Sequence, residues 1–339
     1  MTLKQISAIA AALLISAAAC SQPPVHDPAL AFCDGTWYMY TTGYCVDVLT
    51  STDLKSWKPA GHVFDSAPQW AVDLVPGYSG HTWAPDIFFH DGTYYLYYSC
   101  SSFGKNTSAI GVATNRTLDP SSPDYRWEDR GCVVSSVAGR DLWNAIDPNA
   151  AVDENGDVWL SFGSFWGGIK LVKLDSTLTR PAEPQEWYPI CRRPEGTAED
   201  TSGTDDAIKA DPRGADFDPG NGAVEAPYII RRGDYYYLFV SFDLCCRGPK
   251  STYKVVVGRS EKITGPYLDA AGTPLMQGGG TVVVSGNERY PGVGHCAVIS
   301  ALGTDKIVMH GYDKRRHYNS SLLVRDLEWD ADGWPTAKL

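Results

Sequence analysis

Five residues whose side chains can do chemistry stand at long and similar intervals along the chain: Asp27, Trp83, Asp147, Glu225 and His295. Successive members are separated by 56, 64, 78 and 70 positions. Three of them are carboxylic acids, and acids held close together repel one another, which raises the pKa of at least one. A protonated carboxyl beside an ionised one can cleave a glycosidic bond, because the first protonates the leaving oxygen and the second activates water. A tryptophan ring adds a face on which a sugar can stack.

The segments that begin at these residues form a repeat. Each unit is a short strand, a tight turn and an aromatic-rich strand, as in DPALAFCDGTWYMYTT from Asp27 and WAPDIFFHDGTYYLYYS from Trp83. The copy from His295 is the weakest. The predicted turns are Asp34-Gly35, Asp91-Gly92, Asn155-Gly156, Gly233-Asp234 and Thr304-Asp305. An Asp-Gly or Asn-Gly pair between two strands is a strong hairpin signal.

Five units of this length, each with room for four strands, predict an all-β chain folded as a five-bladed β-propeller. A β-sandwich is the alternative, but a sandwich does not repeat a whole hairpin five times. The first strand of each blade lines the channel of a propeller, so the residues that head the units should converge on one axis. Two interpretations without catalysis stand beside hydrolysis. The acids could bind calcium or magnesium, or each could cap a turn in its own blade.

Composition narrows the possible partners. The chain has 29 Lys and Arg against 40 Asp and Glu, a net charge of −11, which argues against a nucleic-acid partner. Trp 11 and Tyr 19 together outnumber Phe 10 threefold, so most aromatic rings carry a polar group. This composition is typical of a rigid β-protein that presents rings to a polar ligand, and it excludes disorder, collagen, a coiled coil and a multi-span membrane protein.

The first twenty residues, MTLKQISAIAAALLISAAAC, have the pattern of a secretory signal that is too short to span a membrane. We therefore expect a signal peptide over residues 1–20 and a catalytic propeller over residues 21–339. Residues 16–20 resemble a bacterial lipobox, so Cys20 is expected to carry a lipid, with ordinary cleavage nearby as the alternative. The protein is then an exported monomer in the periplasm or at the cell surface of a bacterium, touching the membrane only through that lipid.

Eight cysteines follow Cys20, and an exported chain permits disulfides, whose pairing stays open. No cysteine spacing is typical of a zinc site. The adjacent Cys245 and Cys246 cannot easily join two separate strands. We interpret the cysteines as structural or inert.

Short motifs at the head of the repeats resemble the blade signatures of glycoside hydrolase family 43. They are Val25-His26-Asp27-Pro28, Trp83-Ala84-Pro85-Asp86, Ala145-Ile146-Asp147-Pro148-Asn149 and Val224-Glu225-Ala226-Pro227-Tyr228. Within the family, segments 101–111, 163–169 and 292–295 are similar to those of endo-1,5-α-L-arabinanases. The resemblance covers about residues 25 to 335.

The resemblance implies a role for each acid: Asp27 as general base, Glu225 as general acid, and Asp147 as the residue that positions and tunes Glu225. It implies inversion at the anomeric carbon, with room for a water between base and acid. It also implies a central ion, calcium in most members, held near His295 mostly through waters. Five further residues match substrate-groove positions: His26, Trp83, Phe103, Asn144 and Ser164.

The expected activity is endo-hydrolysis of α-1,5 links in the arabinan side chains of pectin. An exo-acting α-L-arabinofuranosidase or β-xylosidase of the same family is the nearest alternative, and a non-catalytic glycan-binding surface lipoprotein is a more distant one. Residues 195–222 are expected to be a solvated insertion, with an acidic calcium loop as the alternative. Asp86 is expected to brace its own blade rather than to catalyse.

Overall fold

The computed structural model describes residues 24–193 and 222–339. The predicted signal peptide with Cys20, and almost all of the predicted insertion at 195–222, lie outside the described residues. Within the described ranges, no helix has the length and apolar character needed to cross a membrane.

Short strands make up most of the fold, as the repeat predicts. In chain order they are β1 (Ala29–Cys33), β2 (Thr36–Thr41), β3 (Gly43–Tyr44), β4 (Asp47–Ser51), β5 (Lys58–His62), β6 (His81–His90), β7 (Thr93–Cys100), β8 (Ser108–Asn115), β9 (Glu128–Ser136), β10 (Asn149–Val152), β11 (Val158–Phe162), β12 (Ile169–Lys173), β13 (Trp187–Cys191), β14 (Val224–Arg232), β15 (Tyr235–Phe242), β16 (Lys254–Ser260), β17 (Thr281–Val284), β18 (Val293–Ala301), β19 (Thr304–Asp313), β20 (Asn319–Asp326), β21 (Glu328–Trp329) and β22 (Pro335–Thr336). One short α-helix, α1 (Gln69–Leu74), lies between β5 and β6.

These strands form five antiparallel sheets that follow one another along the chain, which confirms the five-bladed propeller. Blade 1 is β1-β2-β4-β5, blade 2 is β6-β7-β8-β9 with β3 added at the edge of β6, blade 3 is β10 to β13 and blade 4 is β14 to β17. Blade 5 has three strands in the described part of the chain, β18-β19-β20, where the repeat led us to expect room for four. The β21-β22 hairpin forms a separate pair.

The hydrophobic core is divided into five clusters, one between each pair of neighbouring blades. Side chains alternate along each strand, so one strand supplies two clusters. In β7, Leu96 packs towards blade 1 and Tyr97 towards blade 3. In β19, Met309 packs towards blade 4, while Val308 packs with Met39 of blade 1 and thereby closes the circle.

The hairpin turns lie where the Asx-Gly pairs predict them, with one exception. Asp34 and Gly35 both have positive φ, 48° and 81°, as a two-residue hairpin turn requires. In blade 5 the predicted turn at Thr304-Asp305 is wrong. The turn is Leu302-Gly303, with φ of 54° and 80°, and Thr304 already begins β19.

One residue at the head of each blade has a left-handed backbone. The five are Asp27, Ala84, Asp147, Ala226 and His295, with φ between 41° and 58°. Our alignment of the repeats is therefore wrong by one position in two blades, because Trp83 and Glu225 each precede the equivalent residue. The β6-β7 and β14-β15 registers shift at these points, so a bulge turns Trp83 and Glu225 towards the channel.

A ring of hydrogen bonds joins these five residues. Each backbone N–H donates to a side chain of the preceding blade. The bonds are Ala84 to Thr42 Oγ1 at 2.9 Å, Asp147 to Ser99 Oγ at 3.0 Å, Ala226 to Asp147 Oδ2 at 3.1 Å, His295 to Ser241 Oγ at 2.8 Å, and Asp27 to His310 Nδ1 at 3.2 Å. We call this set the axial ring.

Candidate active site

A pocket of about 760 Å³ opens at the channel and receives residues from all five blades. All nine residues predicted for the site line it, which places the five unit-heading residues together. They are His26, Asp27, Trp83, Phe103, Asn144, Asp147, Ser164, Glu225 and His295.

Asp27 lies against imidazole nitrogens on one side and a hydroxyl on the other. Its Oδ1 is 2.8 Å from Nδ1 of His26 and 3.1 Å from Nδ1 of His295, and Thr42 Oγ1 donates to its Oδ2 at 2.5 Å. Burial alone would raise the pKa of Asp27, but the charge and hydrogen bond of His26, together with the interaction with the His295 imidazole, outweigh it and hold that pKa well below its usual range. Asp27 is therefore ionised at neutral pH.

Glu225 has the opposite environment. It is buried in the bulge of β14, and Ser164 Oγ donates to its Oε2 at 2.8 Å. Burial, followed by the negative charge of a Cys246 thiolate, raises the pKa of Glu225 to about 7, although the hydrogen bond from Ser164 lowers it. Glu225 therefore keeps a proton up to near neutral pH.

Asp147 interacts electrostatically with both of these acids. Burial raises its pKa well above the usual range, and the carboxyl groups of Glu225 and Asp27 raise it further. Its Oδ2 accepts a hydrogen bond from the backbone N–H of Ala226, which is the residue next to Glu225. Asp147 therefore fixes the backbone that carries Glu225, as a positioning residue would.

The predicted substrate-groove residues differ in how freely they reach the pocket. Phe103 is 72% exposed at the rim, where its ring is free to stack on a sugar. Trp83 is half-buried, and its Nε1 donates to His81 Nδ1 at 2.8 Å. Asn144 is buried, and its Oδ1 accepts a hydrogen bond from Ser108 at 2.7 Å. Ser164 lines the pocket and also donates a hydrogen bond to the Glu225 carboxyl group.

The residues around His295 suit a cation bound largely through water. Burial lowers the pKa of His295, so its imidazole is neutral and has a lone pair to offer. The ionised Asp27 lies beside it, and a cation would reduce repulsion among the acids. The nearby group of His26, Asp27 and His310 also brings possible ligand atoms within 4.8 Å of one another. However, His310 Nδ1 already accepts the Asp27 N–H, so that nitrogen has no lone pair left for a metal.

Asp86 does not line the pocket, and it braces the next blade as well as its own, since its carboxyl also accepts the backbone N–H of Ile87 in β6. Its Oδ2 accepts hydrogen bonds from Ala150 N at 2.9 Å and Asn149 Nδ2 at 3.3 Å, both in blade 3. Asp86 therefore ties blade 2 to blade 3. Burial raises its pKa to about 7.

Sequence reasoning missed Thr42, His310 and the pair Cys245-Cys246. Thr42 and His310 contact Asp27, and both cysteines line the pocket. His310 stands in the weak fifth copy of the repeat, one strand after His295, where a histidine among apolar residues was a usable signal. The sequence held no comparable signal for Thr42, since hydroxyl side chains are common at the ends of strands.

Comparison with known proteins places this fold and site in a family. The family model described as "Glycosyl hydrolases family 43" matches residues 21–335. An extracellular exo-α-(1→5)-L-arabinofuranosidase of Cellvibrio japonicus is 48% identical over 96% of this chain and 90% of its own length. An extracellular endo-α-(1→5)-L-arabinanase of Bacillus subtilis is 38% identical over 97% of this chain and 95% of its own length.

Solved structures agree with the sequence comparison. The structure of a Cellvibrio cellulosa α-L-arabinanase complexed with arabinohexaose superposes with a TM-score of 0.86 at 48% identity, over 94% of this chain and 96% of that one. The match is with the whole propeller rather than with isolated blades. The family predicted from the blade motifs is thereby confirmed: this chain belongs to glycoside hydrolase family 43.

Proposed function

We propose that this protein is an arabinanase that hydrolyses α-1,5-L-arabinofuranosidic links inside arabinan chains. The observation that carries the proposal is the opposite charge state of two carboxyl groups in one sugar-sized pocket, Asp27 ionised and Glu225 protonated near neutral pH. The relatives named as arabinanases and the arabinohexaose complex of the Cellvibrio enzyme support arabinan as the substrate.

The mechanism follows from the two charge states. Asp27 takes a proton from a water, whose oxygen attacks the anomeric carbon. Glu225 gives its proton to the O5 oxygen of the departing sugar, so the glycosidic bond breaks as the new C–O bond forms. The product has inverted configuration. Asp147 holds the Ala226 backbone and with it the position of Glu225.

Exo action is the second candidate, because a relative with 48% identity is named as an exo-acting arabinofuranosidase. The rim of the pocket favours endo action. Phe103 and Tyr44 are 72% and 52% exposed there, so aromatic rings are available to sugars beyond the one being cleaved.

Product analysis on linear 1,5-α-L-arabinan tests the proposal. We expect a mixture of oligomers early in the reaction and a rapid fall in polymer length. Arabinose as the sole early product would establish the exo alternative. An intact polymer that nevertheless binds the protein would establish a non-catalytic sugar-binding propeller.

A calcium ion near His295 is a further part of this proposal. His295 and Asp27 would hold it together with waters, and its charge would stabilise the acid cluster. Chelation should then lower the melting temperature or the activity, and calcium should restore it. If exhaustive chelation changes neither and elemental analysis finds no metal, this part of the proposal is wrong.

Export and lipid anchoring complete the proposal. The signal pattern of residues 1–20 and the extracellular names of two relatives support export. A lipid on Cys20 would place the propeller close to its membrane. Cys20→Ala should release the protein from the membrane fraction with full activity, whereas failure of a labelled fatty acid to mark the wild type would contradict lipidation.

A further inference from the structure

Two adjacent cysteines lie in the wall of the active-site pocket, on the loop that follows β15. Cys245 is half-buried and Cys246 is exposed, and both line the pocket with Glu225. Their Sγ atoms are 2.7 Å apart. Cys246 Sγ also lies 3.7 Å from Nε2 of His26, the residue that contacts Asp27. The pair is thus close to both carboxyl groups of the proposed reaction.

The loop that carries the pair is fixed from several directions. The Cys246 N–H donates to Tyr312 Oη at 2.7 Å, and Leu244 N donates to Thr252 Oγ1 at 3.2 Å. The carboxylate of Asp243, which is 1% exposed, forms ion pairs with Arg193 and Lys254. Charged hydrogen bonds inside a protein are strong and geometrically restrictive.

The backbone of Cys246 is itself unusual. Its φ is 62°, in the left-handed region that a side chain disfavours. Non-glycine residues in this region persist only where their surroundings hold them there, and they are concentrated at ligand sites. The contacts of the loop therefore keep two sulfur atoms together at the pocket surface.

As thiols, the two side chains would not be inert. Their Sγ atoms lie within contact distance of each other, and Cys246 Sγ faces the imidazole of His26. A thiolate is the form that attacks a disulfide, so such a pair is readily oxidised in an exported protein. Oxidation would remove the negative charge of a Cys246 thiolate beside Glu225, and burial, the larger cause of the raised Glu225 pKa, would remain.

We propose that Cys245 and Cys246 form a disulfide between adjacent residues, and that this disulfide is an apolar wall against which the sugar packs beside His26. The second half of the proposal rests on the proposed arabinanase function. A disulfide offers the polarisable, apolar surface of sulfur and carries no charge. The C–H groups of a furanose ring can pack on such a surface while its hydroxyls reach the polar side chains of the pocket.

The oxidation balances in a simple way. Counted from the two thiols, two Sγ–H bonds break and one Sγ–Sγ bond forms. The two electrons and two protons pass to the disulfide of an exported thiol oxidoreductase, whose S–S bond breaks to give a pair of thiols.

Peptide mass spectrometry tests the bond without reference to activity. Cleavage after Arg232 and Arg247 releases peptide 233–247, which contains no cysteine besides this pair. For this test the full chain is produced in bacteria with export to the periplasm, denatured with iodoacetamide in the absence of reductant and then digested. We expect peptide 233–247 to be unlabelled, two hydrogen atoms lighter than its reduced form, and doubly labelled only after reduction. In the Cys245→Ser control, Cys246 should take one label without reduction. A wild-type peptide that is doubly labelled without reductant, or one joined to a different cysteine peptide, would overturn the proposal.

Kinetics on arabino-oligosaccharides test the sugar-packing role. The double variant Cys245→Ser, Cys246→Ser should raise KM on the order of 10-fold with little change in kcat, because an apolar contact made before and during the reaction is lost. Cys33→Ser, far from the pocket, should match the wild type. An unchanged KM in the double variant would refute the packing role. A disulfide in a protein that leaves arabinan intact would refute the arabinanase function while the bond itself stands.

Discussion

At the scale of single residues, the two carboxyl groups proposed to transfer protons differ in what surrounds them. Asp27 is held ionised by His26 and His295, whereas burial keeps Glu225 protonated until about pH 7. The sequence predicted that repulsion among the acids raises at least one pKa, and the family resemblance made Asp147 the residue that tunes Glu225. In the structure burial is the larger cause, and the neighbouring carboxyls act most visibly on Asp147 itself.

Replacement of Glu225 should affect the hydrolysis of arabinan and of an activated aryl arabinofuranoside very differently. Glu225→Gln should lower kcat on arabinan by about 100- to 10,000-fold, because the leaving sugar oxygen then receives no proton. An aryl arabinofuranoside with an acidic phenol as leaving group should be cleaved nearly as fast as by the wild type, since that oxygen needs little protonation. Wild-type activity of the variant on arabinan would contradict the assignment of Glu225.

Removal of the Ser164 hydroxyl should change the pH profile. Its hydrogen bond to Oε2 stabilises the Glu225 carboxylate and lowers the pKa, so Ser164→Ala should raise that pKa. Glu225 must be protonated to act, and the alkaline limb of kcat/KM should therefore move to higher pH, by about one pH unit or less. Ser161 is a buried serine whose hydroxyl donates to the backbone oxygen of Asn149, and Ser161→Ala should leave the alkaline limb unchanged. A downward shift in Ser164→Ala would contradict this account.

At the scale of elements, the axial ring aligns the blades and holds the acids at once. Thr42 shows both functions, since its hydroxyl donates to Asp27 Oδ2 and accepts the N–H of buried Ala84 from the next blade. Gly163 of blade 3 occupies the position that Thr42 has in blade 1. The Gly163 N–H donates to the residue before the left-handed Asp147, just as the Thr42 N–H donates to the residue before the left-handed Asp27. With no side chain at Gly163, the Asp147 carboxylate takes the Ala226 N–H itself.

Thr42→Val should therefore destabilise the fold and impair Asp27 together. The Ala84 N–H would lose its acceptor, which costs about 1–3 kcal/mol of unfolding free energy for a buried group. Asp27 would lose a donor, so its pKa should rise and the acid limb of activity should move to higher pH. Chemical denaturation measures the loss of stability, and a pH profile measures the shift of the acid limb. Thr42→Ser keeps the hydroxyl and should therefore have the stability and the pH profile of the wild type. A valine variant as stable as the serine variant would contradict the ring.

Asp86 gives the fold a pH dependence of its own. Its pKa is about 7 in the folded protein against an ordinary value of 3.8, so between these pH values the folded state binds a proton that the unfolded state releases. The contribution of Asp86 to stability is therefore complete below about pH 4 and declines as pH rises towards 7. Relative to Asp86→Asn, the wild type should lose at most about 1.4 kcal/mol per pH unit over that range. A difference in unfolding free energy that does not change with pH would contradict this.

The repeat predicted four of the five hairpin turns because such turns depend on short-range pattern, and it predicted the convergence of the site because the first strands of the blades line one channel. Asp34-Gly35 and Asp91-Gly92 need positive φ whatever lies around them. The bulges at Trp83 and Glu225 were missed, since a register shift depends on the partner strand. Other contacts join distant parts of the chain, so no local spacing predicts them. Thr42 and His310 contact Asp27, and Cys246 contacts His26.

At the scale of the whole molecule, five core clusters close the propeller and fix one pocket at its centre. Each blade contributes through a residue at or near the head of its first strand, so the distance between Asp27 and Glu225 is set by the packing of blades 1 and 4 against blade 5 between them rather than by a local motif. We propose that this closed ring holds Asp27 as base and Glu225 as acid on opposite sides of a sugar ring.

Proton NMR of the first-formed product tests that claim most directly. Arabinan or an arabino-oligosaccharide is hydrolysed by enough enzyme to outrun mutarotation, and the anomeric signals are followed from the first spectrum. Direct attack of water activated by Asp27 predicts that the β-anomer appears first from the α-linked substrate and then equilibrates. First appearance of the α-anomer would contradict the account, since it would require one of the carboxylates to form a covalent bond to the sugar.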